Sequence, residues 1–403
     1  MYMNKIQAVI EITNEKVRLV AGHVIDNEPV IIYSASKEIK GMVSGNIIVN
    51  HDALVTAIKQ ITYIESPELK MKLKINYATI ILPPIGFKVF SSRKTTNVVS
   101  STNIVETLDI NNAVNLVKKD VQEQTSSIVD IIPASFTLAD SSKYTVPPLG
   151  LTSKTIEIFA SIHTLPKDIV DSYKKVFEDA DIRINAMVVS PYAVSEYISH
   201  QKDFPKSYLL IDMGHQMTSF SCIGKGQPYG TQIIKSGIDG LINKVVDSFG
   251  ITKEKAYELI NVYGIDKRDI SFHPPIASST DEYGRTTNFT QEHLNTILIN
   301  YLDDYFDKFL VPMEVLLKSI DNDIKKAKIL PLVFTGSLIR IPGVQDIIKQ
   351  KFSTNQSISF ARSNTIGASR ENYCACIGGL IINNNKNGSL SSVENKVGLV
   401  SRN

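Results

Sequence analysis

IDMGHQMTSF (Ile211–Phe220) is the stretch that decides the fold. It closes the apolar run YLLIDM (Tyr208–Met213), which reads as a strand buried on both faces, and opens the next strand, MTSFSCI (Met217–Ile223). The connection between them is hairpin-sized, and Asp212 and Gly214 put a carboxylate and a flexible backbone at the strand end. Two other turns follow buried strands in the same way: IEITNEK (Ile10–Lys16) and FTGSLIRIPG (Phe334–Gly343). Each alone is a common kind of turn. Their order and separation carry the argument.

Outward from these turns the chain reads as a duplication. AVIEI (Ala8–Ile12), VRLVAGHV (Val17–Val24) and PVIIYS (Pro29–Ser34) predict strands, His51–Thr62 a helix, and INYATIIL (Ile75–Leu82) a strand covered on both sides. The second half restarts that pattern at Tyr208, with a third strand around Thr231–Lys235 and a helix carrying Ile238, Leu241, Ile242, Val245, Val246 and Phe249. After the Ile75–Leu82 strand, the next stretch, about residues 83–163, reads as a module of its own. It has a helix from Asp109, taken as its N-cap, a strand at Ile128–Leu138, a Pro- and Gly-bearing link at Val146–Leu151, and a strand at Thr155–His163. An amphipathic helix starts at Pro166, with Ile169, Tyr173, Val176, Phe177 and Ala180 on one stripe, read as core. Tyr301–Ile320 reads as a helix kinked at Pro312, Cys374-x-Cys376 as part of a core strand, and 383–403 as a disordered tail.

The composition excludes several classes of function. With 43 basic and 41 acidic side chains among 403 residues, there is no field to gather nucleic acid. Three cysteines cannot form a disulfide scaffold and suit a reducing cytosol. The opening residues lack a signal-peptide pattern, and no apolar run reaches the roughly 18 residues of a membrane span, so a cytoplasmic protein is expected. There is no GxxxxGK[ST], HExxH or GxSxG motif, and the seven histidines are scattered.

The three turns in this order resemble the phosphate-and-adenosine clasp of the actin superfamily. More narrowly, the chain resembles FtsA, the bacterial cell-division actin homologue. The likeness rests on IIPASFTLADSSKYTVPPLGLTSK (Ile131–Lys154), GMVSGNI (Gly41–Ile47), SGIDGLINKVVDSFGI (Ser236–Ile251) and AYELINVYG (Ala256–Gly264), which fall in family order over about residues 5–382. The resemblance implies an α/β, actin-like (ribonuclease H-like, duplicated) fold, two halves around a nucleotide cleft, with a strand–helix–strand insertion. It assigns 1–82 with 164–203 to the first half, 83–163 to the insertion, and 204–382 to the second half, whose small outer subdomain spans about 250–325. It further implies a self-assembling filament that tethers polymers of the tubulin-like FtsZ at the cytoplasmic face of the division-site membrane.

By the same resemblance ATP would meet Thr13, Asn14, Lys16, Gly214, His215, Gln216, Tyr257, Gly336 and Ser337, with Asp212 and Glu11 holding Mg²⁺. The departures from the family pattern fall on those positions. Asp-Ile-Gly-Thr-Ser-Lys becomes Glu11-Ile12-Thr13-Asn14-Glu15-Lys16, which puts a Cβ and a negative charge where backbone should approach phosphate. The second hairpin loses two glycines and its later carboxylate. The ribose-contacting Glu and Lys of the family align with Tyr257 and Ile260, and the adenine-side glycine turn keeps Gly336 but continues Ser337-Leu338. Lost positioning groups typically cost about 10²-fold each in rate, so the sequence argues against ATP hydrolysis. The FtsZ tail would meet the outer subdomain, where Arg268, Arg285 and Lys308 are candidate contacts. SVENKVGLVSRN (Ser392–Asn403) is the candidate membrane anchor, with few positive charges and no aromatic residue. The alternatives are a working Mg-ATPase of the same fold and a PilM-like pilus-assembly adaptor; VPPLGL favours FtsA over the latter.

Overall fold

Valine, isoleucine and leucine fill the first three strands, and the hairpin they make begins one of two compact units. One unit comprises residues up to His200 together with those from Asn364 onward; the other is Gln201–Ser363. The computed structural model describes residues 6–26, 28–66, 71–121, 124–201, 204–266, 268, 274–280, 282–319, 330–353, 356–369 and 372–385.

In the first unit β1 (Gln7–Ile12), β2 (Lys16–Ile25) and β3 (Glu28–Glu38) form an antiparallel meander. Helix α1 (His51–Thr62) occupies the expected span, capped by Asn50, whose Oδ1 accepts from the N–H of Ala53 at 3.2 Å. Strand β4 (Tyr77–Leu82) then pairs parallel to β1 on the side away from β2. The insertion follows as β5 (Lys88–Asn97), α2 (Thr107–Lys118), β6 (Ser126–Leu138) and β7 (Thr155–Pro166). Next come α3 (Lys167–Asp179), β8 (Arg183–Val189) parallel to β4, and α4 (Ser190–Ser199). The sheet order is β8-β4-β1-β2-β3.

The second unit repeats that plan. A meander of β9 (Ser207–Met213), β10 (Thr218–Gly224) and β11 (Gln227–Ile234) is followed by α5 (Ile238–Phe249), α6 (Lys253–Tyr263), α7 (Gln291–Asp307) and α8 (Leu310–Ser319). Strand β12 (Leu332–Gly336) is parallel to β9, and after α9 (Val344–Phe352) strand β13 (Ile358–Phe360) is parallel to β12. The order β11-β10-β9-β12-β13 mirrors the first sheet strand for strand, which is the duplication read from the two hairpins.

Several elements differ from expectation. The insertion has a third long strand, β5, ahead of its helix, and its sheet runs in the order Lys143–Tyr144, β6, β7, β5. Ile156, Ile158, Ala160 and Ile162 alternate into a core closed by Ala113, Val117 and Phe136, so the module has its own apolar interior. Helix α2 starts two residues before Asp109. Glu106 is the N-cap, and Asp109 receives the N–H groups of Glu106 and Val99, both at 2.8 Å. The span 301–320 is not one kinked helix: α7 ends at Asp307 and Pro312 lies in the first turn of α8. Cys374 and Cys376 lie on a helix over 374–385, not a strand, and that helix groups with the first unit although it was expected in the second half. Residues 386–403, with the candidate anchor Ser392–Asn403, lie outside the described residues. Among the described residues no helix is long and apolar enough to cross a membrane.

Candidate functional site

The turn after β1 is built by Thr13. Its N–H donates to the carbonyl of Lys16 at 2.9 Å, and its hydroxyl donates to the same carbonyl at 3.0 Å. Thr13 Oγ1 in turn accepts the N–H groups of Lys16 at 3.1 Å and Glu15 at 3.4 Å. The N–H groups of Thr13, Glu15 and Lys16 are therefore spent inside the turn. Asn14 is buried, and its Oδ1 accepts the N–H of Asn46 at 2.6 Å, tying the turn to the GMVSGNI loop. Glu11 stands opposite Arg18 in the β1–β2 register, and Arg18 Nη1 meets Glu11 Oε2 at 2.9 Å. Sequence reasoning missed Arg18, although the hairpin register determines it: Ile12 opposes Val17, so Glu11 opposes Arg18.

In the second unit the turn after β9 is closed by the helix it precedes. Gly214 N–H donates to the carbonyl of Met217 at 3.0 Å. The carbonyls of Gly214 and His215 accept the N–H groups of Ile238 and Asp239 at 3.2 and 2.9 Å, so the start of α5 is capped by the hairpin itself. His215 is buried, with Nδ1 at 3.2 Å from Asp239 Oδ1 and its ring 6.0 Å from that of Tyr257. Gln216 Nε2 donates to the other oxygen of Asp239 at 3.2 Å. Gly336 packs over Asp212: a β-carbon there would stand 2.5 Å from both Asp212 Oδ1 and the carbonyl oxygen of Met213, and its φ of 97° already favours glycine. Ser337 begins the following helical turn, accepting from Arg340 N–H at 3.2 Å. Ile260, where the family pattern carries lysine, is wholly buried core.

Asp239 was not singled out in the sequence. Burial pushes its carboxyl upward, but hydrogen bonds from His215 and Gln216, with the charges of His215 and Lys253, outweigh this and hold it below its ordinary value of 3.8. A depressed folded-state value lends stability that is complete above 3.8 and drains as pH falls through the lower folded value. Asp239→Asn should therefore lower the melting temperature at neutral pH, with the gap to wild type narrowing as pH falls below 3.8. A gap that persists undiminished in acid would refute this account of Asp239.

The three candidate partner contacts stand on different elements. Arg268 is held by Asp266, with Nε 2.9 Å from both carboxylate oxygens; Arg285 lies 5.3 Å over the ring of Tyr283; Lys308 caps the end of α7. The exposed apolar residues Leu310, Val311, Val315 and Leu317 on α8 carried no signal, because an apolar helix read from sequence looks like core.

Taken by itself, the first turn does not fit a magnesium-bound triphosphate. A Mg²⁺ ligand must offer an oxygen at about 2.0–2.1 Å, and Glu11 Oε2 is engaged by the guanidinium of Arg18. A phosphate cradle needs converging N–H groups, and those of Thr13, Glu15 and Lys16 are satisfied within the turn.

Duplicated five-stranded sheets, each a meander extended by two parallel strands, with paired hairpin turns, define an actin-like fold. Solved structures agree. A PilM–PilN type IV pilus biogenesis complex matches with TM-score 0.57 at 13% identity, covering 94% of this chain and 98% of that one. An MreB of Spiroplasma citri bound to AMPPNP matches with TM-score 0.53 at 12% identity, covering 96% and 98%. No protein-family model matches the chain. Curated relatives narrow the likeness. The cell division protein FtsA of Enterococcus faecalis is 25% identical over 355 residues, 86% of this chain and 76% of that protein. FtsA of Streptococcus pneumoniae is 22% identical over 349 residues, 85% and 73% of the two chains. The chain is thus an actin-fold relative of the FtsA proteins.

Proposed function

We propose that this chain is an FtsA-like cell-division adaptor that associates with copies of itself through the insertion, joins FtsZ polymers to the cytoplasmic face of the membrane, and does so without turning over ATP. The insertion surface carries the reading. Val99, Leu108 and Val146 are 63%, 53% and 65% exposed, and Ile104 and Leu151 are more than a third exposed. Leu108 lies in the first turn of α2, and the others sit on two loops stitched together by the backbone. Val105 N–H donates to Leu151 and Gly150 N–H to Val105, both at 2.9 Å, Ser153 N–H donates to Asn103 at 2.7 Å, and Ile104 bridges Thr152. Scattered exposed apolar residues are ordinary, but a set on loops this firmly held suits a protein contact. Sequence kinship with FtsA proteins favours this reading over a pilus adaptor, to which the likeness is one of fold.

The test is sedimentation. Wild type should show concentration-dependent self-association, and Leu108→Asp with Val146→Asp should sediment as a monomer with an unchanged melting temperature, since both side chains face outward. Unaltered association of that variant would defeat the reading.

A further inference from the structure

Glu11 and Arg18 form the most enclosed of the described ion pairs, with side chains 12% and 10% exposed. Glu11 lies one residue from the end of β1, where the turn begins, and Arg18 faces it across the sheet. A third group closes the pocket: Cys376 Sγ, from the helix over 374–385, is 4.0 Å from the same Oε2. Burial, with the charge of Glu11 added, holds that thiol well above its ordinary value, so it stays neutral against the carboxylate. A carboxylate so enclosed requires a positive charge beside it. In a turn that takes a metal-bound phosphate the ligand brings that charge; here the chain supplies it.

Two observations independent of the ion pair point the same way. Thr13 holds the turn in shape through its own hydroxyl, as described above. Asn46 joins the turn to α3, its N–H donating to Asn14 Oδ1 at 2.6 Å and its carbonyl accepting from Tyr173 Oη at 3.2 Å. The turn is thus ordered by side chains on each flank. We propose that Arg18 is the resident cation of the first unit: it neutralises Glu11 permanently, does the charge-balancing that a divalent ion would do at this strand end, and leaves the turn organised without Mg²⁺ or nucleotide. A divalent ion on Glu11 would have to evict a guanidinium of like charge from a nearly closed space. The inference concerns the first unit alone and stands whether or not the proposed adaptor role holds.

The test uses the full chain, stripped with chelator and melted by circular dichroism in chelator, in millimolar MgCl₂, and in millimolar MgCl₂ with ATP. Wild type should melt within about 1 °C under all three conditions, where a ligand at about 100 times its Kd would raise the midpoint by several degrees. Arg18→Met strands the carboxylate; it should melt lower and regain several degrees in MgCl₂. Glu11→Gln with Arg18→Met removes both charges and should again ignore Mg²⁺. A Mg²⁺-dependent rise in wild type, or an Arg18→Met protein blind to Mg²⁺, overturns the proposal. Should Arg18→Met fail to fold, titration calorimetry of wild type with ATP decides: no heat in either condition supports the proposal, and heat that appears only with Mg²⁺ overturns it.

Discussion

Gly378→Ala should destabilise the first unit by about 3 kcal/mol or more, although alanine is the better helix former by about 1 kcal/mol. Gly378 lies in the helix over 374–385 where it crosses α4. A β-carbon there would stand 1.7 Å from the carbonyl oxygen of Ala193, 2.6 Å from its carbon and 3.2 Å from the N of Tyr197. All three are backbone atoms of a helix, so no rotamer change can relieve the contact. The helices must separate, and the helix over 374–385 also carries Cys376 against Glu11. The adjacent Gly379 supplies the control. Its β-carbon would meet Ile81 Cδ1 and Val9 Cγ1 at 2.9 Å, side-chain tips that can turn away. Gly379→Ala should therefore cost far less than Gly378→Ala in urea denaturation followed by circular dichroism. Equal losses, or a Gly378→Ala protein as stable as wild type, would show that the helix–helix contact is looser than its geometry.

That helix also shows where sequence reading stopped. CACIGGLII has no period to separate strand from helix, because a buried helix presents apolar residues all round. Periodicity succeeded where one face meets water: α1 and α3 fell within a residue or two of expectation, and Ile156 to Ile162 alternated as a half-buried strand must. Strand β5, KVFSSRKTTN, escaped because it is polar and half exposed, an edge strand defended by Lys88, Arg93 and Lys94. At the site, the turns were legible as turns, while the partners that close them were not. Arg18 could have been found from the hairpin register alone. Asn46 could not, since its contact with Asn14 spans 32 residues and depends on how a loop folds back. Nor could Asp239, whose role comes from the way α5 starts beneath the hairpin carbonyls.

Phe309→Ala should lower the stability of the second unit by about 3–5 kcal/mol, the range for emptying an aromatic core site. Phe309 is wholly buried at the point where α7 gives way to α8. It meets Phe220 edge-on at 4.8 Å, Tyr305 at 4.9 Å and Phe306 at 5.4 Å, contacts worth more than their area. Its carbonyl accepts the N–H of Met313 at 3.2 Å, so the same residue that fills the core starts α8. Loss of the ring should therefore loosen the helix as well as the interior. This matters for the proposed adaptor, because α8 turns Leu310 and Val311 outward at 69% and 68% exposure, an apolar face open to a peptide partner. Val311→Asp separates the two roles. It should leave the unfolding midpoint within about 0.5 kcal/mol of wild type while reducing retention on an immobilised FtsZ C-terminal peptide. Phe309→Ala should lose both stability and retention. If Val311→Asp binds the peptide as wild type does, α8 is not the docking face, and the loss in Phe309→Ala would then report only the unfolding of the unit that holds it.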